Sequence, residues 1–242
     1  DAGIVTLGLK DPSGTSDVIN INVKGTSAQG AETLEQIIVA DVETINLSSG
    51  SVGSTAMVAA DSNIITDQSY STATNLNITG AANLTMSNAI VGTKLKTIDA
   101  SEFTGNLALT AAAVDLNLKT GSGADTLTFG TTLTVADVID AGSNPSSTSI
   151  DTLTATINEL GTSAAPVALQ IANVETITLN TATNASFLDA SKITGATTIQ
   201  IENDQNVTLS NLAAGVNLML GTDTAGALDE YSGTLDLALA DE

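Results

Sequence analysis

Asn75-Leu76-Asn77-Ile78 is followed, eight residues on, by Asn83-Leu84-Thr85-Met86. Each segment alternates a small polar residue with an aliphatic one, which puts one face of a strand in a core and the other in water. Nine residues likewise separate Asn106-Leu107-Ala108-Leu109 from Asp115-Leu116-Asn117-Leu118. The same texture recurs at Thr126-Leu127-Thr128-Phe129, Thr132-Leu133-Thr134-Val135, Thr176-Ile177-Thr178-Leu179, Thr198-Ile199-Gln200-Ile201, Asn206-Val207-Thr208-Leu209 and Asn217-Leu218-Met219-Leu220. Short strands at such spacings, joined by Gly, Ser, Asn and Asp, suit either a sandwich or a parallel β-solenoid. No Asn-Gly or Asp-Gly dipeptide marks a two-residue hairpin. The inward residues are Leu, Ile and Val rather than aromatics, which fits a narrow interior, and outer Asn and Thr can stack in ladders. The reading is therefore all-β: a parallel β-solenoid, β-helix-like or β-roll-like, with Gly/Asp-rich turns. Ala31 to Gln36 and Thr134 to Ile139 are the two short helix candidates.

A longer repeat overlies this texture. Ile38-Val39-Ala40-Asp41-Val42-Glu43-Thr44-Ile45-Asn46-Leu47 matches Gln170-Ile171-Ala172-Asn173-Val174-Glu175-Thr176-Ile177-Thr178-Leu179, 132 residues later. Asp17-Val18-Ile19-Asn20-Ile21-Asn22-Val23 parallels Asp151-Thr152-Leu153-Thr154-Ala155-Thr156-Ile157, and Asp99-Ala100-Ser101 parallels Asp189-Ala190-Ser191. The chain accordingly divides into similar halves, 1–140 and 141–242, and shared stacking favours one continuous rod.

Composition excludes much. The 242 residues carry 6 Lys and no Arg, His or Cys, against 27 acids, for a net charge of −21. Without His or Cys there is no zinc site of the usual kind and no Ser-His-Asp or Cys-His catalysis. A chain this acidic repels nucleic acid, which is held through basic contacts to phosphate. Aromatics, at 2%, offer no stacking platform for bases or sugars. No stretch of about 20 apolar residues provides a membrane span. An enzyme on a β-helix would need basic and aromatic clusters that are missing, and the irregular Thr-x-Thr pairs do not make a flat ice-binding array. The chain is read as non-enzymatic. It begins at Asp1, which suggests a processed product or a fragment of a longer protein.

Cations are what such a charge attracts, and hard divalent ions prefer oxygen ligands. The sharpest local signal is Gly121-Ser122-Gly123-Ala124-Asp125-Thr126-Leu127-Thr128. Glycines let the backbone turn sharply and present carbonyl oxygens, Asp125 adds a carboxylate, and the strand that follows anchors the turn. Asp140 and Asp151 flank a second Gly-containing excursion. Asp11 and Asp17 flank its counterpart in the first half, and Asp223 opens a third. Calcium is the expected ion, with Gly121, Gly123 and Asp125 as first choice. A plain turn with a self-capping Asp is the competing reading at each place.

The Gly121–Asp125 turn resembles the calcium-binding nonapeptide G-G-x-G-x-D-x-L-x of RTX proteins, with Thr120 at the first glycine. Together with Ala40–Leu47, Ala172–Leu179 and the two Asp-Ala-Ser segments, it is similar to RTX-type bacterial surface-layer proteins of the Caulobacter-like kind. The resemblance spans most of residues 17–220. It implies a calcium-dependent β-roll-like fold, type I secretion, and self-assembly into a lattice or oligomer on the cell surface. It also implies an anchoring polysaccharide, met outside this chain or through another domain. Tandem nonapeptides and a C-terminal secretion signal of that family are not evident. The alternative is an adhesin, or the calcium-binding module of a larger secreted protein.

Overall fold

The computed structural model describes residues 3–11, 13–25, 32–51, 62–144, 146, 148–159, 161–182, 186–202, 206–221, 223–224, 227–228 and 235–239. Strands alternate along the chain between two parallel sheets. The first sheet holds β1 (Gly3–Gly8), β3 (Thr33–Ala40), β5 (Ser62–Tyr70), β7 (Asn83–Met86), β9 (Leu107–Thr110), β11 (Thr126–Gly130), β13 (Thr152–Ile157) and β15 (Thr176–Thr181). The second holds β2 (Val18–Gly25), β4 (Thr44–Ser51), β6 (Asn75–Gly80), β8 (Thr97–Asp99), β10 (Asn117–Lys119), β12 (Val138–Asp140) and β14 (Gln170–Ala172). One strand from each makes a coil, and the coils stack as a parallel β-solenoid.

Towards the C-terminus a third face opens. β16 (Ser186–Asp189) leads through a single 3-10 turn, Ala190–Lys192, to β17 (Ile193–Thr194), where the second sheet ends. The first sheet continues with β18 (Thr198–Ile201) and, after β19 (Val207–Leu212), with β20 (Asn217–Leu220). β21 (Asp223–Thr224) and β22 (Ala227–Leu228) form a small antiparallel pair. β23 (Leu235–Leu239) joins β16 and β19 in the third sheet.

The alternation read from the sequence sets the register. In the first sheet Leu34, Ile65, Met86, Leu109, Leu127, Leu153, Ile177, Ile199 and Leu218 stack as one column. In the second, Ile19, Ile45, Leu76, Ile98, Leu118, Ile139, Ile171 and Ile193 do the same. A one-residue slip would turn every member of a column out to solvent, so burial fixes the pairing. Coil length is far less constrained: partners are 18 residues apart from Leu109 to Leu127 and 32 from Ile139 to Ile171. The slack goes into surface loops, whose closure free energy grows only slowly with length.

Both helix candidates are corrected. Thr33 to Gln36 belongs to β3, where β-branched Ile37, Ile38 and Val39 and pairing with β1 and β5 override the helix tolerance of Glu and Leu; Ala31 lies outside the described residues. Thr134 to Asp137 is a turn closed by the Asp137 N–H donating to the Thr134 carbonyl (3.3 Å), and Val138 already begins β12.

Candidate functional site

At the corner that leads into the first sheet, each coil caps the coil before it. The N–H of Leu107 donates to Asp125 Oδ1 (2.8 Å), that of Asp125 to Asp151 Oδ1 (2.7 Å), and that of Asp151 to Glu175 Oε2 (2.7 Å). Three carboxylates thus climb the solenoid axis in single file. Such hydrogen bonds to a charged acceptor are worth more than neutral ones, and each satisfies a corner N–H that no ladder can reach.

Glycines make the close stacking possible. A Cβ on Gly121 would collide with the Phe103 carbonyl, and one on Gly123 with the Gly105 carbonyl. Gly142, at φ +83, lies against the carbonyl of Gly121. The backbones of successive coils therefore touch at the Gly121–Asp125 turn, with Asp125 sealed behind it.

Asp125 and Asp151 are both fully buried, and no lysine offsets either one. Burial raises the Asp125 carboxyl above its ordinary range; the Thr120 side chain and the Leu107 and Gly121 N–H groups act against that rise. The Thr120 hydroxyl is committed to the Ala141 carbonyl (3.0 Å), and Asp125 Oδ2 has no hydrogen bond of its own. Burial pushes Asp151 up to about 7. The negative charges of Asp125 and Glu175 add to that effect, while the Asp125 N–H and the Asn144 amide oppose it. Asn144 Nδ2 donates to Asp151 Oδ2 (2.9 Å), leaving Asn144 Oδ1 buried without a partner.

Asp125 and Asp151 are thus the two sequence-chosen acids that the fold brings together. The others stand apart. Asp140 Oδ1 accepts from the Gly142 N–H (3.1 Å) and from Asn173 Nδ2 (2.7 Å). Asp11 Oδ1 accepts from the Ser13 N–H (3.2 Å), and hydrogen bonds from Ser13 hold its carboxyl below the usual range. Asp17 lies one coil below Glu43, to whose Oε2 its N–H donates (2.9 Å); its own Oδ2 is buried without a partner. Asp223 begins β21, and its side chain lies outside the described residues.

Asn144 and Glu175 are contributors to the site that the Gly-Asp pattern passes over. Glu175 was visible as part of the repeat, whereas Asn144 sits in a loop whose path no periodicity reveals. Asp137 is a further buried acid, yet its two oxygens are used by the Leu116 N–H (2.7 Å) and the Thr134 N–H (2.8 Å).

The unused oxygens at the column, Asp125 Oδ2 and Asn144 Oδ1, are hard donors of the kind a divalent cation takes. Among the described residues no three acids stand together as a ready-made cage. Carbonyls or water would complete any coordination. No family model, curated protein or solved structure matches this chain.

Proposed function

We propose that this chain is a calcium-dependent, self-assembling structural segment of a secreted cell-surface layer, and that it performs no catalysis. The observation that carries the reading is the Asp125 carboxylate: fully buried, unopposed by any lysine, with one oxygen unpartnered and Asp151 of the next coil stacked on it. A buried carboxylate without a counter-charge is costly; it offsets that cost by holding a proton or by binding a cation, and the unpartnered hard oxygen of Asp125 suits a divalent cation. An ion bound only by the folded coil adds its binding free energy to stability. The −21 charge works the same way between molecules: copies repel until cations screen or bridge them. The surface-layer assignment and the secretion route rest on the resemblance of the repeat segments.

The test follows thermal unfolding and particle size in chelator and then in millimolar calcium. The expected result is a calcium-induced rise in Tm together with growth into sheets or higher oligomers. In Asp125→Ala the calcium-induced shift should shrink; an unchanged shift would remove the site assignment. Stabilisation without growth would favour a calcium-binding module of an adhesin or other secreted protein.

A further inference from the structure

We infer that the outer face of the first sheet, between β9 and β18, is an ice-binding surface: a regular, uncharged array of threonines. The inference stands apart from the calcium and self-assembly reading, because it uses neither the buried corner nor a second copy.

Along the chain the Thr-x-Thr pairs are unevenly spaced, which counts against a regular array. The fold reverses that expectation. Thr126 pairs with Thr152, and Thr152 with Thr176; two residues on, Thr128 pairs with Thr154, and Thr154 with Thr178. The 26 residues from Thr126 to Thr152 and the 24 from Thr152 to Thr176 differ only in what the loops consume. Thr110, opposite Thr128, and Thr198, opposite Thr176, extend one column each. Leu127, Leu153 and Ile177 lie between the paired threonines and are buried, so all six threonines share the outer face, exposed or half-exposed.

The two columns stand about 6.7 Å apart along the strands, and successive rungs about 4.8 Å apart up the stack. Both intervals lie close to the oxygen repeats on the prism faces of hexagonal ice. Threonine is stiff at χ1, so the array is set before contact and little ordering cost is left to meet. Each hydroxyl can donate and accept, as a lattice water does. The Thr152 hydroxyl donates to that of Thr126 over a long 3.4 Å. Those of Thr128, Thr154, Thr176 and Thr178 make no hydrogen bond among the described residues and are left for water.

Charge singles out the same face. In a chain of net charge −21, strands β9, β11, β13, β15 and β18 contain no charged residue. The second sheet, over neighbouring coils, places Asp99, Lys119 and Asp140 in one outward column. Charged groups hold hydration shells that do not fit a crystal of water, and this face has none. A dry contact with a second copy would bury threonine hydroxyls that have no partner in their own chain, which is costly. A crystalline polysaccharide would call for aromatic rings, which are absent from the outward positions of these strands.

The test uses the full 242-residue chain in millimolar calcium, with folding checked by circular dichroism. Three readouts are taken: the shape of single ice crystals, the gap between melting and freezing points, and the protein carried into slowly growing ice. Thr154→Lys puts a long charged side chain in the middle of the array. Asn117→Lys adds the same charge at an exposed position of the second sheet. The parent and Asn117→Lys should facet ice crystals, open the gap and be enriched in the ice. Thr154→Lys, folded and with a Tm near the parent's, should lose all three effects. Thr128→Lys repeats the measurement one coil away, so a folding failure at position 154 does not decide the matter. A folded parent that is rejected from ice without shaping it overturns the proposal, as does an equal loss in Thr154→Lys and Asn117→Lys. If Thr154→Lys disperses oligomers of the parent and leaves ice unaffected, the face is a contact between copies and the ice assignment falls.

Discussion

The segments around Glu43 and Glu175 are two copies of one motif, and they make the same bonds on opposite sheets. In each, the glutamate accepts the N–H of an aspartate one coil below: Asp17 to Glu43 (2.9 Å) and Asp151 to Glu175 (2.7 Å). In each, the carbonyl of that aspartate accepts from a threonine N–H at 3.0 Å, Thr44 or Thr176. The glutamate carbonyl in turn receives the Thr74 or Thr197 N–H at 2.9 Å. Asp41 and Asn173 bend the preceding corner at φ 61 and 60, a conformation that Asp and Asn tolerate better than most residues. Yet Thr44 opens a strand of the second sheet and Thr176 one of the first. The motif encodes a corner, and the count of corners around the coil decides which sheet follows. What separates the copies is the neighbour beneath. Asp17 belongs to the first described coil, with its carboxylate tucked under Gly14. Asp151 sits on Asp125 and is sealed in. One local pattern thus yields a half-exposed turn acid in one copy and a buried, perturbed acid in the other.

The largest effect expected from this difference lies at the glycines. Gly121→Ala drives a methyl into the Phe103 carbonyl, which is backbone and cannot step aside. Overpacking of this kind costs about 2–3 kcal/mol or more, which at this chain length is a Tm drop on the order of 5–10 °C. Gly14→Ala meets only the Asp17 side chain, which can rotate, so its Tm should move by a small fraction of that. Equal losses in the two variants would show that the coil beneath is not what distinguishes the copies.

Asp151 gives the next test, through pH. Its carboxyl titrates higher in the folded chain, near 7, than in the unfolded chain, near 4. Between those values the folded state holds a proton that the unfolded state has released, so stability falls as pH rises from about 4 to about 7 and levels off above. One proton sets a limiting slope of about 1.4 kcal/mol per pH unit. In chelator, Asp151→Asn should flatten this part of the stability profile. A parallel profile for the variant would mean that the slope comes from the acidic surface as a whole. Next in size is Glu175→Ala, which strands the Asp151 N–H at a cost of about 1–3 kcal/mol. Glu43→Ala should cost less, because water can reach Asp17, and Glu175→Gln should recover most of the loss by keeping an acceptor.

Strand character and inward faces were legible because alternation and burial act on the same residues: Leu76, Leu84, Leu107 and Leu127 were marked by their own neighbours. The repeat was legible as well, but not its half-turn displacement, since nothing local records how many residues the loops between corners consume. For the same reason Asp125 could be singled out from its glycines, while its stacking on Asp151 could not. That contact spans 26 residues and depends on the length of an excursion that includes Asn144. Asp140 carried the same turn signals as Asp125 and lies on a different corner, bonded to Asn173.

The finest distinction between the copies is a single outward residue, Asn46 in the first against Thr178 in the second. Asn46 donates to Asn20 (2.8 Å) and accepts from Asn77 (2.8 Å), the middle rung of an amide ladder on the outer face of the second sheet. Thr178 pairs with Thr154 and Gln200, where no asparagine continues a ladder. Asn46→Thr therefore removes two solvent-facing hydrogen bonds, together worth about 1 kcal/mol or less, and regains part of that through the β-preference of threonine. The reciprocal Thr178→Asn gains no ladder partner and loses that preference. Both variants should melt within about 2–4 °C of the parent, and restoring amide contacts through a neighbouring Thr154→Asn should help Thr178→Asn alone. If Asn46→Thr proves as damaging as Gly121→Ala, the outer ladder holds the coils as firmly as the buried corner does, and the weight assigned to that corner is too high.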